Sequence, residues 1–230
     1  MEAEHAPRLA VIVAARNEAE RIGATLDTLA DAFADAPVWV ADDASSDATA
    51  EIALAGGARL VSRRRPHGKG ANVTAAAEAM LSEHPPDDQV VLLCDADLGD
   101  SAARLAPLVD AVAAEQCDLA IAAFARRVGG GLGLAVGFAG WAIERRCGAR
   151  MKAPISGQRA MRAGVLSAVL PFAAGFGMET GMTIDAVRAG FDVQEIELEL
   201  EHRATGRTLG GFAHRGRQLK DIVRAYASRR

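Results

Sequence analysis

The chain has 230 residues, of which 50% are hydrophobic and 4% are aromatic, and its formal net charge is −4. This length predicts one substantial α/β domain with a core of small side chains. The negative charge gives no general electrostatic reason to bind nucleic acid, although basic residues gather at Arg63, Arg64 and Arg65 and again at the C-terminus. We therefore expect no nucleic-acid partner.

Short β-rich apolar runs alternate with alanine-rich helical patterns in the first half of the chain. This alternation predicts βαβ units and a mainly parallel, Rossmann-like sheet flanked by helices. The predicted strands span residues 9–14, 38–41, 59–61, 90–94 and 119–124, and the predicted helices span residues 18–30, 47–55, 70–82 and 102–115. Three of these helices have candidate N-caps in Asn17, Ser46 and Ser101.

The second half begins with a glycine-rich segment, residues 129–133, which predicts a mobile loop of the kind that often covers a site. After it we expect a helix to about Cys147, a strand near residues 154–162, a helix over 179–189, a strand over 193–198 and a last amphipathic helix from Gly211. No repeat or linker divides the chain, so we predict a single domain over residues 1–230.

Four sets of polar residues lie at or between the predicted strand ends. In an open parallel sheet, ligands bind beyond the carboxyl ends of the strands, so these sets are the candidate site. In chain order they are Ala15-Arg16-Asn17-Glu18, Asp42-Asp43-Ala44-Ser45-Ser46-Asp47, His67-Gly68-Lys69-Gly70 and Asp95-Ala96-Asp97.

Asp95 and Asp97 follow a buried-strand run and are candidate metal ligands. Two acids one residue apart are common on surfaces, but here they emerge at the sheet edge, where a divalent cation such as Mg²⁺ or Mn²⁺ could join them. A hard cation with oxygen ligands neutralises a diphosphate and stabilises the charge that develops as it leaves. We therefore predict a metal at this position.

The other acidic residues have two interpretations each. Asp42 and Asp43 lie at a strand tip, where a carboxylate can accept hydrogen bonds from a ribose or a base, whereas Ser46 or Asp47 caps the next helix. Glu18 either contacts the nucleotide or stabilises a helix N-terminus through the dipole.

Lys69 lies between two glycines just before a predicted helix. Exposed backbone N–H groups and one cation suit a phosphate there, and a flexible surface turn is the alternative. The chain has neither the full spacing of a Walker loop nor a Gly-x-Gly-x-x-Gly motif after its first strand. The sequence therefore supports neither an ATPase nor a dinucleotide enzyme.

Together these four sets resemble the GT-A glycosyltransferases of the family-2 type, which carry the same motifs in the same succession. The resemblance covers residues 1–100 and implies a nucleotide-sugar-binding half there and an acceptor-binding half over 101–230. It implies a metal-dependent transfer of a hexose from a UDP- or GDP-linked donor. The implied donor-binding residues are Ala15, Asn17, Glu18, Asp42, Asp43, Gly68, Lys69, Asp95 and Ala96, with Asp97 on the metal.

The second half resembles two subgroups. The segment Ser156-Gly157-Gln158-Arg159 is similar to a segment found in the polyprenyl-phosphate sugar synthases. Residues 171–179 and Glu201-His202-Arg203 are closer to the corresponding segments of the glucosyl-3-phosphoglycerate synthases. The second resemblance implies that His202 joins Asp97 on the metal and that Glu179 faces the transferred sugar. Judged by their own positions, His202 is by default a surface histidine and Glu179 a first-turn glutamate.

The acceptor is not identified by the sequence. The resemblance implies acceptor-binding residues at Gly131, Leu132, Gly133, Ser156, Gly157 and Gln158. The phosphoglycerate enzymes carry an arginine and a threonine after the glycines of this loop, whereas this chain has Leu132 and Leu134. The leucines cannot bind an anion, which favours a lipid-linked or less charged acceptor over a small phosphorylated acid. Asp97 and Glu179 are the candidate catalytic residues: Glu179 is a general base if the enzyme inverts and holds a sugar hydroxyl if it retains.

Residues 1–7 are acidic and polar and do not form a secretory signal, and the three cysteines lack metal-type spacing, so we expect a cytoplasmic protein. The stretch 132–143 is too short to cross a membrane and could only lie on one. Contact with the inner membrane face and homodimer formation are both left open.

Two rival functions are a sugar-nucleotide nucleotidyltransferase and a non-catalytic sugar-nucleotide sensor. The first usually has a glycine-rich loop with arginine after the first strand, where this chain has Ala14-Ala15-Arg16-Asn17-Glu18. The second does not need the paired aspartates, the lysine and the histidine.

Overall fold

The computed structural model describes residues 8–124, 133–198 and 209–229. Their strands are β1 Leu9–Ala15, β2 Val38–Asp42, β3 Arg59–Ser62, β4 Val90–Asp95, β5 Leu119–Phe124, β6 Arg159–Arg162 and β7 Val193–Leu198. Their α-helices are α1 Ile22–Ala32, α2 Thr49–Ala55, α3 Lys69–Leu81, α4 Ala106–Ala113, α5 Leu134–Cys147, α6 Ala163–Val169, α7 Met178–Arg188 and α8 Leu209–Ser228. Two 3₁₀ turns, Gly99–Leu105 and Gly175–Gly177, precede α4 and α7.

The strands form one sheet in the order β3-β2-β1-β4-β6-β5-β7. Only β6 runs antiparallel to its neighbours, β4 and β5, so the sheet is mainly parallel. The predicted single α/β domain with a mainly parallel, Rossmann-like sheet is confirmed.

Both faces of the sheet are buried under helices. Alternate residues of β1 point to opposite faces, so Val11 and Val13 pack with α1, α2 and α4, whereas Ala10 and Ile12 pack with α3, α6 and α7. Strands buried on both sides must be apolar along their whole length, which explains the continuous apolar runs in the sequence.

The predicted helix starts and caps need correction. Helix α1 begins at Ile22 and α4 at Ala106, and the N-caps of α1, α2 and α4 make no side-chain capping hydrogen bond. Asn17 Oδ1 instead accepts from the backbone N–H of Ser46, and Ser101 Oγ donates to the carbonyl of Leu98. The predictions for Asn17, Ser46 and Ser101 are wrong because these residues bond to turns rather than to helix ends. Asp47, the alternative to Ser46, does accept the backbone N–H of Thr49, the first residue of α2, at 3.1 Å.

The second half contains one helix that the periodicity did not predict. Strand β6 covers only the last four residues of the predicted 154–162 strand, and α6 follows it at once. Helix α8 begins at Leu209, two residues before the predicted start. The glycine-rich loop lies outside the described residues except for Gly133, as does His202.

No helix in the described ranges combines the length and apolar character needed to cross a bilayer.

Candidate functional site

The carboxyl ends of β1, β2 and β4 meet at one edge of the sheet. Ala15 pairs with Asp42, and Ala14 pairs with Asp95, so three of the predicted polar sets begin side by side. The parallel register therefore brings together residues as distant in the sequence as Ala14 and Asp95.

The turn after β1 is fastened to the turn after β2. The backbone N–H of Asn17 donates to Ser45 Oγ at 2.9 Å, Ser46 N donates to Asn17 Oδ1 at 2.9 Å, and Glu18 N donates to Thr49 Oγ1 at 2.8 Å. Asn17 has a positive φ of 54°, which an asparagine tolerates better than most residues. These bonds fix the backbone of both turns without using a helix cap.

Asp42 and Asp43 are both buried, and each is engaged by the chain itself. Asp42 accepts hydrogen bonds from the hydroxyls of Ser45 and Ser62, the second at 2.8 Å. Asp43 Oδ1 accepts the backbone N–H of His67 at 2.7 Å, and Asp43 Oδ2 accepts that of Gly68 at 3.1 Å. The two carboxylates thus position the loop that leads to Lys69, and a direct contact with the donor stays a prediction.

Lys69 is the centre of the site. It opens α3, and its Nζ lies 2.6 Å from Asp95 Oδ1 and 2.9 Å from Glu179 Oε1. Its side chain is only 21% exposed. Burial alone would lower the pKa of Lys69, but the two carboxylates outweigh that effect and raise it above its ordinary value, so the ammonium stays charged.

Two glycines allow the backbone to approach this ion cluster. A Cβ on Gly157 would lie 2.6 Å from Lys69 Nζ and 2.8 Å from Asp95 Oδ2, and one on Gly70 would lie 1.9 Å from the carbonyl oxygen of Ala173. The next residue, Gln158, donates from Nε2 to Asp95 Oδ2 at 3.1 Å. The segment predicted to bind the acceptor, including the buried Ser156, therefore adjoins Lys69 and Asp95.

Asp97 emerges from the same strand end with an arginine partner. Arg21 Nη1 lies 3.6 Å from Asp97 Oδ2, and Arg21 Nη2 lies 3.0 Å from Glu18 Oε2. Burial raises the pKa of Glu18 even though Arg21 opposes this, and the nearby Asp97 adds to the rise. Arg21 was missed in the sequence because an arginine three residues after a glutamate also fits an ordinary surface pair.

The turn that carries Ala96 is held by a threonine that the sequence did not reveal. Thr25 Oγ1 on α1 donates to the carbonyl of Ala96 at 2.8 Å and accepts the backbone N–H of Gly99 at 2.8 Å. Thr25 is fully buried. No motif points to a single threonine inside an amphipathic helix, so only the tertiary contact identifies it.

Arg159 is a buried cation behind Glu179. Its Nε donates to the carbonyl of Ser156 at 2.8 Å, and its Nη1 donates to Thr183 Oγ1 at 3.0 Å. Burial lowers the pKa of Arg159 to about 10, with Glu179 and Glu195 acting in the opposite direction. Arg159 therefore links the Ser156 segment to α7, the helix that carries Glu179.

The described residues contain no group of three His, Cys, Asp or Glu side chains placed to hold a metal ion. They do place the carboxylates of Asp95 and Asp97 at the sheet edge, with side chains 29% and 34% exposed. Two accessible carboxylate groups fit a hard divalent cation whose remaining ligands are phosphate oxygens and water. The third predicted ligand, His202, lies outside the described residues.

The acceptor prediction is only partly covered by the structure. Gly133 is exposed and adopts a left-handed conformation just before α5. Gly131 and Leu132 lie outside the described residues.

Comparison with known proteins identifies the family of the site. A family model described as glycosyl transferase family 2 matches residues 10–146. Glucosyl-3-phosphoglycerate synthase from Mycobacterium tuberculosis in complex with Mn²⁺, UDP-glucose and phosphoglyceric acid is 26% identical, with 97% of this chain and 79% of that chain covered and a TM-score of 0.75. The same enzyme with Mg²⁺ and UDP is 27% identical, with 97% and 79% covered and a TM-score of 0.74. A search of curated proteins gave no match.

Proposed function

The chain belongs to glycosyl transferase family 2 and is a nucleotide-sugar-dependent glycosyltransferase, and from this premise we propose that it transfers glucose or a similar hexose from a UDP-linked donor. The observation that carries the proposal is the cluster of Lys69, Asp95 and Glu179 at the carboxyl edge of the sheet. The UDP-glucose bound by the M. tuberculosis enzyme supports this choice of donor.

We further propose that residues 1–100 bind the donor. Ala15, Asn17, Glu18 and Ala96 belong to the turns at the strand ends, and Asp42, Asp43 and Gly68 fix the loop before Lys69. Asp97, Asp95 and His202 would hold Mg²⁺ or Mn²⁺, which when bound offsets charge on the leaving diphosphate.

In the transfer, the bond between the anomeric carbon and the diphosphate oxygen breaks, a bond to the acceptor oxygen forms, and any proton on that acceptor oxygen passes to the oxygen of the leaving diphosphate. Lys69 supplies a fixed positive charge to the diphosphate side of this reaction. Protonating Glu179 would cost its 2.9 Å ion pair with Lys69. We therefore assign Glu179 to holding a sugar hydroxyl, as expected for a retaining enzyme.

The acceptor side consists of residues 101–230 in this proposal. Leu132 and Leu134 support an acceptor less charged than a phosphorylated acid, such as a polyprenyl phosphate whose chain is apolar. Transfer to 3-phosphoglycerate should then be poor, and Leu132→Arg should improve it by supplying a bidentate donor. Efficient wild-type transfer that the arginine does not improve would contradict this acceptor.

The cysteines support a reducing compartment, in agreement with the cytoplasmic expectation. Cys94, Cys117 and Cys147 are all free, and the first two are buried.

The central test is calorimetry of UDP binding with and without Mn²⁺, using Asp97→Ala and, as a matched control, the exposed Asp100→Ala nearby on the following turn. We expect the wild type to bind UDP tightly only with Mn²⁺. Asp97→Ala should bind UDP weakly with or without Mn²⁺ and should not transfer sugar from UDP-glucose, whereas Asp100→Ala should behave like the wild type. Metal-independent UDP binding, or full transfer by Asp97→Ala, would refute the proposal. Synthesis of UDP-glucose from UTP and a sugar phosphate would instead identify a nucleotidyltransferase.

A further inference from the structure

Exposed large apolar side chains are concentrated on two helices. Among the residues whose burial is described, five such side chains are exposed, and four belong to α5 or α8: Leu134, Val136, Trp141 and Val223. The fifth, Leu54, lies on α2. A concentration of this kind marks an interaction surface rather than scattered surface residues.

Most of these side chains form one continuous surface. Leu134, Phe138 and Trp141 are spaced to lie on one side of α5. Trp141 approaches Tyr226 of α8 with ring centroids 5.1 Å apart, and Val223 lies one turn before Tyr226. We call these five residues the α5–α8 patch; Val136 lies on another side of α5 and is not included.

The patch is bordered by positive charge. Arg145 continues the exposed side of α5, and Lys220 and Arg224 are exposed on either side of Val223. Residues 202–230 contain eight lysines and arginines but only one acidic residue, in a chain whose net charge is −4. That residue, Asp221, faces inward and accepts the backbone N–H of Phe176 at 3.2 Å.

The exposed glutamate of α5 does not cancel this charge. Glu144 Oε1 pairs with Arg150 Nε at 2.7 Å, so the pair is neutral. The surface therefore combines apolar and aromatic side chains with three cations at its border that have no ion-pair partner among the described residues, and its complement is an anionic apolar surface.

We propose that the α5–α8 patch, with Arg145, Lys220 and Arg224, binds the surface of an anionic lipid bilayer. Tryptophan and tyrosine are favoured at the boundary between headgroups and acyl chains, and lysine and arginine are attracted to anionic headgroups. A second copy of the chain is a poorer occupant, because a two-fold interface would place the same cations opposite one another.

Membrane binding through this patch would bring the site to the lipid surface. Helix α5 directly follows the segment 125–132 that contains the predicted acceptor loop, and Asp221 joins α8 to the Gly175–Gly177 turn just before Glu179. The binding itself does not depend on the proposed transfer and is measured without a donor.

The chain supplies its own probe for the experiment. It has two tryptophans, of which Trp39 is 8% exposed and Trp141 is 49% exposed. Titration with phosphatidylglycerol-containing vesicles should shift tryptophan emission to the blue and sediment the protein, whereas pure phosphatidylcholine vesicles should do neither. Raising the salt concentration should weaken the binding because it screens the cations.

Two double variants and one single control variant locate the binding surface. Leu134→Asp with Val223→Asp should weaken vesicle binding roughly tenfold or more, because two apolar side chains no longer enter the bilayer. Lys220→Glu with Arg224→Glu should weaken it at least about tenfold as well. Leu54→Asp, an exposed leucine outside the patch, is the matched control and should bind like the wild type.

Each contrary result overturns the proposal. These are an absence of binding to anionic vesicles, equal binding to neutral vesicles, or equal loss in the Leu54→Asp control. A blue shift that depends on protein concentration without vesicles, and disappears with Leu134→Asp, would identify a second copy as the occupant. If the thermal unfolding midpoint shows that the double variant Leu134→Asp with Val223→Asp is unfolded, the vesicle binding of the double variant Lys220→Glu with Arg224→Glu decides whether the proposal stands.

Discussion

At the scale of single residues, the candidate site is controlled by one lysine. Lys69 is held by a carboxylate from β4 and by another from α7, so the first residue of α3 joins both halves of the chain. A partly buried ammonium with two carboxylate partners keeps its charge, which a diphosphate-binding residue requires. The glycines around it allow this packing, since side chains at Gly70 or Gly157 would meet occupied space.

Removal of the Lys69 charge should affect phosphate binding selectively. We expect Lys69→Ala to weaken UDP binding by roughly tenfold to a hundredfold while uridine binding changes little, because charge-assisted hydrogen bonds contribute about 1.5–3 kcal/mol. Calorimetry with both ligands measures the difference, and the exposed Lys152→Ala serves as the control. Equal losses for UDP and uridine would show that Lys69 only stabilises the loop.

A methyl group at Gly157 should disturb the same ion pair. Gly157→Ala places a carbon within 3 Å of both Lys69 Nζ and Asp95 Oδ2, and the forced displacement should cost about 1–3 kcal/mol. We expect UDP affinity and turnover to fall by tenfold or more, measured by calorimetry and initial rates. Gly137→Ala, where an added Cβ meets no atom within 4 Å, should leave both unchanged; wild-type activity in Gly157→Ala would contradict the arrangement.

At the scale of elements, the carboxylate of Asp118 connects three strands of the sheet, and we call this set of contacts the Asp118 junction. Asp118, just before β5, accepts a hydrogen bond from the backbone N–H of Asp192 at 2.8 Å and another from the Arg162 guanidinium at the end of β6. This side chain therefore joins β5, β6 and β7, which form one edge of the sheet. Burial works against ionisation of Asp118, but these two donors outweigh it and lower its pKa.

The Asp118 junction should make stability depend on pH. A carboxyl group with a lowered pKa in the folded state stabilises the protein above its unfolded pKa, and this contribution is lost as pH falls through the folded pKa. Asp118→Asn should therefore lower the free energy of unfolding by about 1 kcal/mol at neutral pH. Urea unfolding should show the difference from wild type vanishing in strong acid.

The exposed Asp110→Asn on α4 controls for the loss of one negative charge. A deficit in Asp118→Asn that is the same at neutral and acid pH would show that packing, not the ionised carboxylate, stabilises the junction.

At the scale of the whole molecule, residues 1–100 and residues 101–230 contribute strands to one sheet. Strand β4 of the first half pairs with β6 of the second along four residue pairs, and the ion pair between Lys69 and Glu179 crosses the same boundary. Separate unfolding of either half would expose the centre of the sheet to water. The two halves should therefore behave as one cooperative unit.

Cooperativity can be measured through Trp39 on β2. In Trp141→Phe, Trp39 is the only tryptophan and reports on the first half of the chain, whereas far-UV circular dichroism reports on all helices. We expect the two urea transitions to coincide, as a two-state protein requires. A Trp39 transition that precedes or follows the loss of helix would show that the halves unfold independently.

The sequence by itself determined the strands of the first half of this protein and the sheet edge at which its polar sets lie. Apolar runs predicted β1 to β5 to within one residue at each end, and the polar residues after these strands could only lie at the carboxyl edge of a parallel sheet. Local patterns therefore placed Ala15, Asp42 and Asp95 at this edge and Lys69 at the start of a helix, and their roles in binding a donor stay predictions that rest on the resemblance to family-2 enzymes.

Only the tertiary structure decided how these residues are held. The cap predictions for Asn17, Ser46 and Ser101 were wrong because a polar side chain near a helix start can equally well bond to another turn, and the sequence does not show which turns are adjacent. Thr25, Arg21 and Arg159 were missed for the same reason: their roles arise from contacts between elements distant in the sequence. Long-range packing, which no local period records, placed Glu179 and Gln158 beside Lys69 and Asp95.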